Sequence, residues 1–443
     1  MKIVSVTLWE SPFCWRIVLT VWFMITIFLS LQCVALGQEY DLVERLTFQK
    51  PIIDVALAYV ANGEKEVSYP RIVVLEGEVL WFDVNGRVVC SHKENENTLR
   101  FFDPSVSPKG HHLLLITQHE LIAKREPKTK KTKKFPDFVQ ECKLFDATGK
   151  VAWHSTLDTV GFESGAELLP AVSDNGNFAL INPGSATVAL FDSNGFPIRK
   201  TKLVEGWDYA RTVGGTFSED GACLACFVSE ASDAEKNSIV CVLDTLGNEL
   251  WRVDSRNVRG VRMSPNGEYV LVVWSACPLS WQENETDVSS QWRNYVSLFG
   301  PRGQHMGQYD LEKTGDVHFE FSENNKFAAF VKGKTLQVIS CENGRILSTF
   351  GLAHRVASLP DPHYGNLSPI QVNADGAVLV AEQGNDGYWL GLFDPLRAEN
   401  QEQVVKSVRP DSDPRGFFCV TRMSKSDIFY AIRKSTVYQS KRH

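Results

Sequence analysis

The chain has 443 residues and lacks a surplus of positive charge: 46 Lys and Arg stand against 53 Asp and Glu, a net charge of −7. A dedicated nucleic-acid binder carries a basic footprint, so that class is set aside. The sequence also has no G-x-S-x-G nucleophile elbow, no H-E-x-x-H metal motif and no Gly-rich phosphate loop. Its acidic turns, DVNG and DSNG among them, fall short of the D-x-D-x-D-G series of a calcium loop. Charged residues make up 22% and apolar residues 43%, which excludes general disorder and suits a packed globular protein. No cofactor and no catalytic residue is expected from these features.

One long uncharged stretch is present, at residues 17–38, with the core IVLTVWFMITIFLSL from Ile17 to Leu31. Lys2 and Arg16 precede it and Glu39, Asp41 and Glu44 follow, the charge order of a segment inserted with its N-terminus inside. Ala35-Leu36-Gly37 offers small residues for cleavage, so residues 1–37 read as a signal peptide. The run is also long enough to stay as a membrane anchor through residues 17–36. Either way the remaining chain is expected outside the cytoplasm, as a periplasmic, cell-surface or secreted protein.

Two short patterns alternate along that remainder. In the first, an apolar residue and usually Ser are followed by two variable positions and Gly: VSPKG at 106–110, VSDNG at 172–176, FSEDG at 217–221, MSPNG at 263–267. Looser copies are FSENN at 321–325, VNADG at 372–376 and MSKSD at 423–427. The second is an apolar pair, usually Asp, two residues and Gly: WFDVNG at 81–86, LFDATG at 144–149, LFDSNG at 190–195, VLDTLG at 242–247. Degenerate copies lie at 298–303, 338–344 and 392–397. Asn, Asp and Gly tolerate the positive φ of tight hairpin turns, and Val, Phe, Leu, Ile and Trp flank them as in strands. One period therefore holds two hairpins, the first joining strands A and B and the second C and D. Four-stranded units recurring every 40–50 residues are propeller blades.

The expected fold is an all-β propeller of four-stranded blades over residues 68–443, after an N-terminal extension at 38–67. Pairing the last A–B hairpin (near 415–433) with the first C–D hairpin (near 78–91) closes the ring with seven blades and removes exposed sheet edges. The runs IIDVALAYV and RIVVL within 48–76 supply the material of an eighth blade, the alternative count. LFDATGKVAW (144–153) and VLDTLGNELW (242–251), with Trp153 and Trp251 four residues after the Gly, resemble pyrroloquinoline-quinone-like repeats. MSPNGEYVLVVW (263–274) resembles the repeat of WD-like exported bacterial propellers. The resemblance implies the propeller fold and no particular function.

If both turn patterns are tight, they share one face, and all long connections fall on the other. These are 117–139, 229–237 and 275–293 between B and C, and 155–168, 203–213, 351–369 and 406–415 between D and A. Loops on a rigid scaffold carry function disproportionately, so this is the expected working face. Its candidate residues are Trp281 and Trp292 on a polar insertion, His363 and Tyr364 in PDPHYGN, and Arg211, Arg259, His318 and Arg415 before the inner strands. Trp on a polar loop suits a protein interface or a glycan-stacking platform. The basic run KREPKTKKTKK at 124–134 reads as a solvated insertion. Asp361 and His363 are too few ligands for a metal site. Cys223-x-x-Cys226 lies within a strand and not at a helix start, so it is no redox motif. Cys226 and Cys241 are expected as diagonal neighbours on strands B and C, as a disulfide or as buried thiols.

The function that follows is a non-catalytic scaffold holding a protein or glycan through the long-loop face. Two alternatives stay open: a propeller enzyme (quinone-dependent dehydrogenase or hydrolase) with its site at the channel mouth, and a membrane-tethered ligand sensor.

Overall fold

The computed structural model describes residues 40–442 apart from 51, 63–64, 94–97, 121–137, 158–167, 206–209, 231–236, 277–292, 312–316, 357–367, 385–386, 396–402, 409–417, 422–429 and 434–435. Strand β1 (Tyr40–Thr47) comes first and joins the last sheet. Blade 1 is β2 (Ile52–Asn62), β3 (Lys65–Leu75), β4 (Glu78–Phe82) and β5 (Val88–Lys93). Blade 2 is β6 (Thr98–Val106), β7 (His112–Glu120), β8 (Phe138–Asp146) and β9 (Val151–Thr156). Blade 3 is β10 (Leu169–Val172), β11 (Phe178–Asn182), β12 (Thr187–Phe191) and β13 (Pro197–Lys202). Blade 4 is β14 (Ala210–Phe217), β15 (Cys223–Glu230), β16 (Asn237–Asp244) and β17 (Glu249–Arg256). Blade 5 is β18 (Val258–Met263), β19 (Val270–Ala276), β20 (Arg293–Phe299) and β21 (His305–Asp310). Blade 6 is β22 (Val317–Phe321), β23 (Phe327–Lys332), β24 (Thr335–Ser340) and β25 (Ile346–Gly351). Blade 7 has a divided inner strand, β26 (Arg355–Val356) and β27 (Ile370–Val372), then β28 (Val378–Gly384), β29 (Gly387–Phe393) and β30 (Gln403–Val408). Blade 8 is β31 (Phe418–Thr421), β32 (Tyr430–Arg433) and β33 (Thr436–Arg442), with β1 paired to β33 as its outer strand.

The described residues thus form eight antiparallel sheets, which is the alternative of the two expected counts. The apolar runs of 48–76 are β2 and β3, so blade 1 is complete without help from the C-terminus. Closure instead uses β1, whose Tyr40 lies opposite Arg442. Residues 40–67, expected as an extension, therefore belong to two blades. The physical reason is local: the β2–β3 connection carries no copy of the first pattern, and blade 8 has no C–D turn of its own because its outer strand, β1, comes from the other end of the chain.

The middle strands are buried on both sides because each blade packs against two neighbours. CLACFVSE of β15 and NSIVCVLD of β16 are buried through all six central positions. Outer strands face solvent on one side and alternate, as ELWRVDSR of β17 does. Between blades 3 and 4 the core holds Ile181, Val188 and Leu190 against Leu224, Val228 and Leu243. Each such side chain removed from water contributes about 1.5–3 kcal/mol.

The repeated turns work as expected and also join neighbouring blades. In the first pattern the Ser is fully buried and its Oγ accepts a backbone N–H at the start of strand B: from His112 at Ser107, Cys223 at Ser218, Tyr269 at Ser264 and Phe327 at Ser322, all at 2.9–3.0 Å. The fifth position needs positive φ. It is +75° at Gly267, and in the degenerate FSENN copy Asn325 supplies +62°. In the second pattern the Asp carboxylate accepts two turn N–H groups, as Asp83 does from Asn85 and Arg87. That bonding, led by the Arg87 N–H, holds the Asp83 carboxyl below its ordinary range. Turn bonding thus occupies these carboxylates and explains their presence.

Candidate functional site

Strand direction sorts the two ends of the channel. A and C strands run toward the tight turns, so B–C and D–A connections leave from the opposite face, as the turn spacing predicts. The stems of three long loops are seated on polar pairs. Below 231–236, the Ser229 and Ser238 hydroxyls lie 2.7 Å apart; Ser229 donates to the Val258 carbonyl and Ser238 accepts the Val258 N–H, each at 3.0 Å. This ties the stem to blade 5. Below 277–292, buried Ser275 donates to Asn294 Oδ1 at 2.6 Å. Trp274 there stacks on Tyr295 with centroids 4.6 Å apart and donates its ring N–H to Ser297 Oγ at 2.9 Å. Arg293 and Asp310 add an ion pair at 2.8 Å. Below 121–137, Glu141 accepts from Lys143 at 2.8 Å, the contact that holds its carboxyl below the usual value. Buried pairs of this kind fix a stem because leaving either member without its partner costs about 1–3 kcal/mol.

Three of the candidate residues stand at matching positions on consecutive blades. Arg211, Arg259 and His318 are each the second residue of an inner strand, in β14, β18 and β22. Their distances from the hairpin Ser differ because these strands differ in length. Arg211 and Arg259 also coincide with register shifts against the neighbouring strand, at Ala210/Thr212 and Val258/Gly260. Such bulges re-aim the chain beside functional sites. Arg259 is exposed; His318 is buried. Trp281, Trp292, His363, Tyr364 and Arg415 lie outside the described residues, as does the basic run 124–134. The chain segment with His363 and Tyr364 nevertheless has a defined origin. It interrupts the inner strand of blade 7, since β26 and β27 both pair with β28. At its base the His354 N–H donates to Glu382 Oε2 at 2.7 Å, with Glu382 buried. The two described ends that flank 357–367 are thus both held on β28.

The tight-turn end carries a charged network that the turn patterns alone do not announce. Arg262 of β18 donates to both carboxylate oxygens of Glu320 on β22, at 3.2 and 2.8 Å. Glu320 beside it holds the guanidinium above its ordinary range, and the charges of Asp54 on β2 and Glu219 act in the same sense. Asp54 is in blade 1 and Arg262 in blade 5, so the network reaches across the ring. Lys109 joins it through Glu219 at 3.0 Å. The available signal is a charge two residues before the hairpin Ser in two successive blades: Arg262 before Ser264 and Glu320 before Ser322. Among the described residues no three His, Cys, Asp or Glu side chains are grouped to hold a metal ion.

No family model matches the chain. No curated protein matches it either. Solved structures do. The C-terminal WD40 domain of Sif2 aligns with a TM-score of 0.52 at 9% identity, covering 91% of this chain and 99% of that domain. BamB from Moraxella catarrhalis aligns at 0.47 and 13% identity, covering 90% and 98%. A eukaryotic initiation factor structure aligns at 0.46 and 14%, covering 90% of each chain. At these identities the likeness concerns fold alone: the chain has the β-propeller fold of a WD40 domain.

Proposed function

We propose that the protein is an exported, non-catalytic propeller that holds a protein or glycan partner on its long-loop face. The observation that supports this reading is strand direction: the ends of the B–C and D–A connections leave one face, where Arg211, Arg259 and His318 each stand second in an inner strand. Rigid stems beneath variable loops are how scaffolds present a binding surface. Two Arg positions on adjacent blades suit a partner with carboxylates or other anionic groups, which guanidinium recognises through paired hydrogen bonds. Trp281 and Trp292, on the 277–292 insertion of the same face, supply aromatic anchors.

The position of the N-terminal apolar run agrees with this. β33 ends at Arg442 on the tight-turn face and β1 begins opposite it at Tyr40. Residues 17–38 therefore join the propeller at the face away from the long loops. An anchored chain would present its long loops away from the bilayer, and a cleaved chain would lose nothing from them.

The test is affinity isolation of the full-length protein from its own envelope after mild cross-linking, beside a form with 277–292 replaced by a short Gly-Ser turn. The reading expects a stoichiometric partner or glycan that disappears with the loop. A partner retained without the loop, or none in either sample, would overturn it.

A further inference from the structure

We propose that Cys226 and Cys241 close a disulfide across the centre of blade 4 when the chain folds in the presence of a disulfide oxidant, either a protein dithiol oxidase or a small-molecule disulfide. The two residues are directly opposite on β15 and β16, not diagonal. Their sulfurs lie 3.2 Å apart and both residues are fully buried. A disulfide requires roughly 2.05 Å, so the sulfurs have about 1 Å left to close. Cys223, three residues earlier, stands opposite Asp244 and packs in the cluster toward blade 5, so the hairpin register that opposes Cys226 to Cys241 turns it away. The partners are 15 residues apart, joined by a hairpin that forms locally.

Burial dictates when the bond forms. The Cys241 sulfur beside it and its burial push the Cys226 thiol well up, and both sulfurs are closed off from water in the folded blade. The reaction belongs to the stage when the β15–β16 hairpin is still open to water. One thiol, as thiolate, attacks the oxidant's disulfide and expels one of its sulfurs as thiolate. The second cysteine thiolate then attacks the mixed disulfide and expels the other. Two protein thiols are oxidised, the oxidant takes two electrons and two protons, and it leaves as two thiols. Once blade 4 is packed, the bond is shielded from reductants. The staple lies in the hairpin whose tip is the 231–236 loop, so it fixes a stem of the long-loop face.

This inference rests on the export reading only for where the oxidant is met, and the experiment has separate arms for the two. The full-length chain is reduced, unfolded and refolded in a mixture of oxidised and reduced glutathione. It is then denatured without reductant and alkylated, and its peptides are weighed. The expected result is a linked peptide pair joining Cys226 to Cys241, both unalkylated, and a melting temperature a few degrees above that of protein refolded fully reduced. Alkylation of both cysteines after the glutathione refold would overturn the pairing. The double variant Cys226→Ala/Cys241→Ala should lose the dependence on redox conditions; should it fail to fold, the alkylation pattern of the parent still decides. The same alkylation on protein trapped from its native cell, with fractionation, tests the compartment. Linkage in glutathione but free thiols in the cell would retain the pairing and remove the export reading.

Discussion

At Gly195, φ is +76° and a Cβ would overlap the Trp153 ring of the preceding blade. A milder form of this contact joins Gly303 to Trp251, whose ring a Cβ would meet at 3.0 Å. The two Trp residues that carry the quinone-like resemblance are thus spacers between blades, seated on the Gly of the next C–D turn. Gly195→Ala is expected to cost about 2–4 kcal/mol, combining left-handed strain with displacement of a large ring. A melting temperature unchanged within a degree or so would contradict this placement. A second residue-scale prediction concerns pH. Burial pushes the Asp174 carboxyl above its usual value, while its Oδ1 accepts the Lys109 N–H at 2.9 Å. The folded chain therefore keeps this proton to higher pH than the unfolded chain does. The burial penalty is fully present above the folded pKa and absent below the unfolded one. Asp174→Asn, which keeps the acceptor, should be more stable than the parent at neutral pH, with the advantage shrinking as pH falls through the carboxylate range. An advantage constant across that range, in denaturant titrations at several pH values, would show that ionisation is not its source.

At the scale of strands and turns, much was legible in the sequence because the chemistry is local. A Ser that caps, an Asp that accepts its own turn's N–H groups and a Gly at positive φ all act within a few residues. The same turns also bridge blades: Asn175 Nδ2 donates to the Asp220 carbonyl, Glu219 N–H to the Pro265 carbonyl and Asn266 N–H to Asn325 Oδ1. That second role was not legible, since it depends on which turns become neighbours. The Ser229–Ser238 pair was hidden for the same reason: both are ordinary Ser in strands until register opposes them. Ser229→Ala leaves the Ser238 hydroxyl and the Val258 carbonyl short of a partner in a buried site. It should cost about 1–3 kcal/mol and speed amide exchange at Val258. Unchanged exchange there would mean that the pair does not tie the stem to blade 5.

For the whole molecule, closure is the feature that sequence patterns left with two answers. β1 and β2 bear no repeat signature, so their roles emerge only from pairing with β33 and β3. The candidate site was legible in part. Its face followed from turn spacing, whereas Arg211, Arg259 and His318, expected just before the inner strands, stand within them. Their shared place as second residues needed the strand boundaries. Closure also makes a prediction. Removing residues 40–47 strips β33 of its outer partner and exposes an unpaired edge. The chain lacking only 40–47 should melt earlier and scatter more light than the full chain at equal concentration. Full stability in that form would contradict closure by β1.

The central claim is that one face works and the other holds the ring together. It is tested most directly by photo-cross-linking the full-length protein in its native envelope with a photoreactive amino acid placed singly at 259, 281, 196 or 246. Arg259 stands at the long-loop end of β18, and Trp281 is proposed for the same face; Phe196 and Leu246 are exposed at the tight turns, at 68% and 62%. The account predicts the same cross-linked product from 259 and 281 and none from 196 and 246. A product confined to 196 and 246 would contradict it and place the partner on the turn face.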